Sequence, residues 1–137
     1  MKTILLVEDN LNLGALYQEE LGEAGYHMLR AGNGREALKQ MAEHHLDLVV
    51  LDINMPGMDG IEVMERMLAA QPGVPVILNS GYASYKDSFR SWSAAAFVVK
   101  SSNLGELKLQ IQEVLALQES PGPVSPMSAL QELKENA

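Results

Sequence analysis

The stretch Val49-Val50-Leu51-Asp52-Ile53-Asn54-Met55-Pro56-Gly57-Met58-Asp59-Gly60 decides the fold. An apolar run ends abruptly on a carboxylate, and a Pro and two Gly follow within eight positions. Apolar runs of this length mark strands covered on both faces, as in parallel sheets flanked by helices. The Pro and Gly cannot continue the strand. The reading is therefore a central strand over 46–52 that delivers Asp52 to its carboxyl end, and a loop that turns away from it.

Working outward, the same grammar repeats. Strands are predicted over 3–9, 26–31, 74–80 and 95–100. Between them the apolar spacing is helical over 11–25, 33–45, 59–71 and 103–118. In the first helix Leu13, Leu16, Tyr17, Leu21 and Ala24 form the expected inner face, with Asn10 as its cap and Gly25 as its end. The second turns Ala37, Leu38, Met41 and Ala42 inward. The last turns Leu104, Leu107, Ile111, Val114 and Leu115 inward. Asn33 and Glu36, Asp59 and Glu62, and Asn103 and Glu106 each have capping-box spacing. Segment 81–94 carries Tyr82, Tyr85, Phe89 and Trp92 at helical steps, but its four Ser weaken helix propensity. It is read as a short fourth helix. Alternating strands and helices imply an α/β fold, a doubly wound five-stranded parallel sheet. The expected order is 2-1-3-4-5, with the polar second strand at an edge and the apolar third at the centre.

The 137 residues suit one domain, assigned to 1–118. Residues 119–127, with three Pro and a Gly, read as a linker, and 128–137 as a short C-terminal helix or tail. There is no cysteine, so a disulfide framework and a cysteine zinc site are excluded. The N-terminus is charged too early for a signal peptide, and no run approaches the roughly 18 apolar residues of a membrane span. The expected location is the cytoplasm. A formal net charge of −8 with scattered Lys and Arg argues against direct nucleic-acid binding. His44 and His45 fit a helix end better than a metal site. Gly32 and Gly34 follow the second strand and form no dinucleotide loop.

In an open parallel sheet ligands bind at the carboxyl ends of the strands, where the strand order reverses. Those ends carry Glu8 and Asp9 on the first strand, Asp52 on the third, Ser80 on the fourth and Lys100 on the fifth. Three clustered carboxylates call for a cation, and Mg2+ is the hard oxygen-seeking candidate. Lys100 and Ser80 supply an ammonium and a hydroxyl for phosphoryl oxygens, and Asp52 is the best-placed carboxylate nucleophile.

These residues, in LLVEDN, LDINMPGMDG, NSG and FVVK, resemble the receiver domain of two-component response regulators over roughly residues 2–118. The resemblance implies a flavodoxin-like fold and a phosphoacceptor at Asp52. It implies Mg2+ on Asp9, Asp52 and the Asn54 carbonyl, with Glu8 acting through water. It implies phosphoryl contacts from Ser80 and Lys100, and a switch in which Ser80 shifts and Phe97 swings inward. The face of helix four, strand five and helix five then changes shape. Expected partners are a sensor histidine kinase or a histidine phosphotransfer protein and a downstream protein target, with a homodimer through that face as an option. The protein is read as a signalling switch, not a turnover enzyme.

Two departures stand out. Ser101 follows Lys100 where the family usually has Pro, so a trans bond is expected there. The Ser80–Lys100 interval is also short, which predicts a truncated or shifted fourth helix. Two further readings are a receiver that begins a longer regulator and a receiver-like constitutive binding module. The latter is disfavoured because the acidic pair and Lys100 are present. A flavin-binding relative lacks its phosphate loop, since EDNLNLG is acidic.

Overall fold

The computed structural model describes residues 1–53, 55, 59–81, 93–101 and 103–119. The elements are β1 (Thr3–Val7), α1 (Leu11–Glu23), β2 (His27–Ala31), α2 (Gly34–Glu43), β3 (Leu48–Leu51), α3 (Gly60–Ala70), β4 (Val76–Ser80), β5 (Ala96–Val99) and α4 (Gly105–Glu119). Thus α4 is the helix predicted over 103–118. The strands form one sheet in the order β2-β1-β3-β4-β5, and every pairing is parallel. This is the predicted doubly wound architecture. Of the predicted helix over 81–94, residues 82–92 lie outside the described residues, as do 120–137, which hold the C-terminal helix and all of the linker but Glu119, the last residue of α4.

Alternation along the strands builds two cores. Leu5, Val7, Val49, Leu51, Val76 and Leu78 pack with Ala37 and Met41 of α2 and Ile61, Met64 and Met67 of α3. Their neighbours Ile4, Leu6, Leu48, Val50 and Ile77 pack on the other face with Tyr17 and Leu21 of α1 and Leu107, Ile111 and Val114 of α4. All four residues of β3 are buried, as its unbroken apolar run requires. The polar β2 takes an edge, as predicted. Among the described residues, no helix is long and apolar enough to cross a membrane.

Caps explain the helix boundaries. Asn10 accepts from the Leu13 amide, Asn33 from the Glu36 amide, and Asp59 from the Ile61 and Glu62 amides. The predicted boxes close only in part. Glu36 reaches back to Gly32, one residue beyond the cap. Glu62 instead pairs with Arg66 one turn on. Asn103 accepts from Gly105, two residues ahead rather than three. At the end of α1 the Tyr26 amide donates to the Leu21 carbonyl and Gly25 takes φ +103°, a left-handed stop suited to glycine.

Three predicted inward residues are corrected. Leu16, Ala24 and Ala42 are exposed. The buried face of α1 is Gly14, Tyr17 and Leu21. Gly14 has no side chain, so the Arg30 guanidinium lies in the space a Cβ would need, 2.3 Å from it. Leu16 lies off the Gly14, Tyr17 and Leu21 stripe and faces outward. Ala42 loses little by exposure because it has so little apolar area.

One glycine holds the start of α3 against the loop after β3. A Cβ on Gly60 would lie 2.3 Å from the Ile53 Cα, which is backbone and cannot swing away. Gly60→Ala is therefore expected to lower stability by about 1–3 kcal/mol. Gly22, on the exposed side of α1, has open space around its Cβ position. There the same change is expected to stabilise by about 0.4–1 kcal/mol. Urea unfolding of the two variants should move the midpoint in opposite directions at unchanged slope.

Candidate functional site

Register places the site. Val7 of β1 pairs with Leu51 of β3, so Glu8 and Asp52 follow side by side at the heads of adjacent strands. The Asp52 amide donates to the Val7 carbonyl, 3.0 Å, and the Glu8 amide to Ala31, 3.0 Å. The ladder thus continues one residue into the site. On the other side Ser80 of β4 pairs with Val99 of β5, and Lys100 comes next. The Lys100 amide donates to the Ser80 carbonyl at 2.6 Å, which fixes the base of the lysine arm.

The Lys100 ammonium lies between the two carboxylates. Its Nζ donates to Asp52 Oδ2 at 2.9 Å and sits 2.8 Å from Glu8 Oε2. The Glu8 and Asp52 side chains are 1% and 3% exposed and the lysine 22%, so the charges meet in a largely dry environment. Lys100 is pulled two ways. Burial disfavours its charge, but the hydrogen bonds and charges of Asp52 and Glu8 prevail, and its pKa lies above the ordinary lysine value. Burial pushes the Glu8 carboxyl up, and Asp52 adds to this, against the opposing pull of Lys100.

The predicted residues largely come together. Glu8, Asp9 and Asp52 place one oxygen each within 4.8 Å of one another. Asp9 is the exposed member, open to solvent at the rim. Ser80 is fully buried at the end of β4. Phe97 is half-buried on β5, opposite Leu78, and packs against the core on the α2–α3 side. Asn54 lies outside the described residues. Among those residues no peptide bond is cis, and Lys100 reaches the carboxylates with Ser101 behind it.

The donor set fits a hard divalent cation. All three donors are carboxylate oxygens, the class Mg2+ prefers. With the carboxylates ionised, the cluster carries three negative charges, and the Lys100 ammonium pairs with two of them, Glu8 and Asp52. Glu8 Oε2 is buried and, though close to Lys100 as an ion pair, makes no aligned hydrogen bond. A hydrated cation bound by these carboxylates would supply both positive charge and a donor for that oxygen.

One feature of the site has no motif to announce it. The Asn79 side-chain amide donates to the Tyr17 hydroxyl at 3.1 Å, deep in the core beside Ser80. Both residues are at most 2% exposed. Tyr17 reads as one more apolar helix position, and Asn79 as part of a strand. The usable signal was an amide inside the otherwise apolar run Val76-Ile77-Leu78.

Removing the ammonium leaves buried carboxylates facing each other. Lys100→Met is expected to cost roughly 3–5 kcal/mol at neutral pH, as for other broken buried pairs. Because the folded-state pKa of Lys100 is raised, its contribution is complete below the ordinary lysine pKa of about 10.4. It is lost as pH climbs through the higher folded value. Thermal unfolding at pH 7 should show the deficit, and Mg2+ should raise the variant's melting temperature more than the wild type's. An equal Mg2+ response would place the cation away from these carboxylates.

Comparison with known proteins agrees with this geometry. Residues 4–112 match the response regulator receiver domain. The chain is 37% identical over 117 residues to the regulatory protein AtoC of Escherichia coli, covering 84% of this chain and 25% of that protein. It is 30% identical over 116 residues to sporulation initiation phosphotransferase F of Bacillus subtilis, covering 83% of this chain and 94% of that one. The chain thus spans about a quarter of the first relative and nearly all of the second. Among solved structures, the response regulator TrrA of Thermotoga maritima in complex with Mg2+-BeF superposes with a TM-score of 0.80 at 42% identity, covering 83% of this chain and 99% of that one. A CheY-like receiver domain protein of Methanospirillum hungatei gives a TM-score of 0.83 at 31% identity, covering 89% and 99%. Their shared fold is the flavodoxin-like sheet described above, and the chain belongs to the response regulator receiver domain family.

Proposed function

We propose that this chain is a phosphoacceptor switch, in which Asp52 takes a phosphoryl group from a histidine kinase or a histidine phosphotransfer protein. The observation that carries the reading is the Lys100 ammonium held on Asp52 at the head of the central strand, with Asp9 at the open rim. A solved complex of the histidine kinase ThkA with TrrA, the latter 43% identical to this chain, makes a kinase the natural donor class.

In this reading an Asp52 oxygen attacks phosphorus in line, and the bond from phosphorus to the donor's imidazole nitrogen breaks. Lys100 turns from the Asp52 carboxylate to a phosphoryl oxygen. The Ser80 hydroxyl donates to another. Glu8, Asp9, Asp52 and the Asn54 carbonyl would hold Mg2+. When bound, Mg2+ neutralises charge on the transferring group. Ser80 then draws toward the phosphoryl group and Phe97 moves inward behind it. The face that includes β5 and α4 then changes for a downstream protein or a second copy of the chain. The group is lost again by hydrolysis, so the protein acts as a signalling switch.

Intact mass after incubation with acetyl phosphate tests this. The wild type is expected to gain one phosphoryl group only with Mg2+ present, and Asp52→Asn to gain none. Ser80→Ala should still be modified, but about 10²-fold more slowly, as when one charge-stabilising donor is removed. An adduct that persists on Asp52→Asn, or forms equally without Mg2+, would overturn the reading.

A further inference from the structure

Resting on the proposed phosphoryl transfer, we propose that the buried Tyr17–Asn79 hydrogen bond is a positioning strap, holding the end of β4 so that the Ser80 hydroxyl meets a phosphoryl group on Asp52.

The path of the strap is the first argument. Tyr17 belongs to α1, which begins directly after Asp9 and Asn10. Asn79 belongs to β4, two strands from β1 across β3. The bond therefore crosses the head of the strand that carries Asp52. It joins the helix behind the acidic pair to the strand that presents the hydroxyl, without using a group assigned to metal or phosphate.

The second argument is cost. Tyr17 packs among Ile4, Leu6, Val50 and Ile77, and Asn79 meets it from the buried end of β4, where an apolar pair of similar volume would leave no donor or acceptor to satisfy. An apolar pair gives stability there but no direction. A hydrogen bond between two fully buried side chains fixes both, and Asn79 is covalently next to Ser80. The Ser80 carbonyl in turn receives the Lys100 amide at 2.6 Å. The strap thus holds the last residue of β4 from one side, as the Lys100 amide holds it from the other.

The third is proximity. Burial above all pushes the Tyr17 hydroxyl up, and after the Asn79 hydrogen bond the charges of Lys100, Glu8 and Asp52 also bear on it. Tyr17 is therefore within the electrostatic reach of the site.

The test measures the rate of modification by acetyl phosphate with Mg2+, beside melting temperature, for Tyr17→Phe, Asn79→Leu and the double variant. All three remove the same bond, so all three rates should fall by one common factor, roughly tenfold for a small misplacement of a reacting group. Stability should follow a different order. Tyr17→Phe strands the buried amide and should melt lowest, while the double variant leaves nothing unpaired and should return near wild type. On a Ser80→Ala background Tyr17→Phe should cause no further loss, because the hydroxyl it positions is already gone. A double variant that reacts at the wild-type rate, rates that track melting temperature, or an undiminished loss on the Ser80→Ala background would each overturn the strap. If the Asn79→Leu change prevents folding, the Tyr17→Phe and Ser80→Ala pair decides alone. A wild type that takes no phosphoryl group would instead remove the proposed function beneath it.

Discussion

A lysine ammonium wedged between two buried carboxylates governs the head of this sheet. Glu8 and Asp52 are forced together by the β1–β3 register, which puts them level at the ends of neighbouring strands. Without a cation that juxtaposition is unfavourable in a dry environment. The cation comes from the far side. Lys100 follows β5, two strands from β3, a lateral distance of roughly 10 Å at ordinary strand spacing. Its arm reaches because its root hangs on the Ser80 carbonyl, so the placement of β4 decides where the charge arrives. Stability of the fold and geometry of the site are thus one problem at this end of the sheet.

The loop side is set by steric means. Gly60 lets the first turn of α3 touch the Ile53 backbone, and Asp59 caps that turn through two amides. Together they fix where the chain returns after Asp52. The strand end is clamped by charge, and the loop's return by close packing.

Much of this was legible in the sequence, for identifiable reasons. Apolar runs broken by charge gave the strands, since strands covered on both faces tolerate little else. Asp9, Asp52, Ser80 and Lys100 could be placed because each closes such a run. What was not legible depends on partners distant in sequence. Leu16 looked inward by spacing, but the buried stripe of α1 runs through Gly14, Tyr17 and Leu21 and leaves it exposed. Glu36 and Glu62 had box spacing, yet one reaches Gly32 and the other Arg66. The Tyr17–Asn79 bond joins residues 62 apart, and each alone resembles its apolar neighbours. Periodicity reports which face a residue occupies, not which partner it finds there.

The distribution of polarity in the core shows why the site and the fold can be tuned separately. Among the described residues the buried polar and charged side chains are Glu8, Asp52, Asn79 and Ser80, with the Tyr17 hydroxyl beside them. All four lie at or just beyond the carboxyl ends of strands. Below that level both cores are aliphatic, and substitutions of similar volume there should be absorbed by local repacking. At the rim each polar group depends on a named partner, and exchanging one disturbs the next: Glu8 through Lys100, Lys100 through Ser80, Ser80 through Asn79, Asn79 through Tyr17. A linked chain of this kind makes the rim costly to alter piecemeal. It also gives a change in charge at Asp52 a physical route, bond by bond, to β4 and α1.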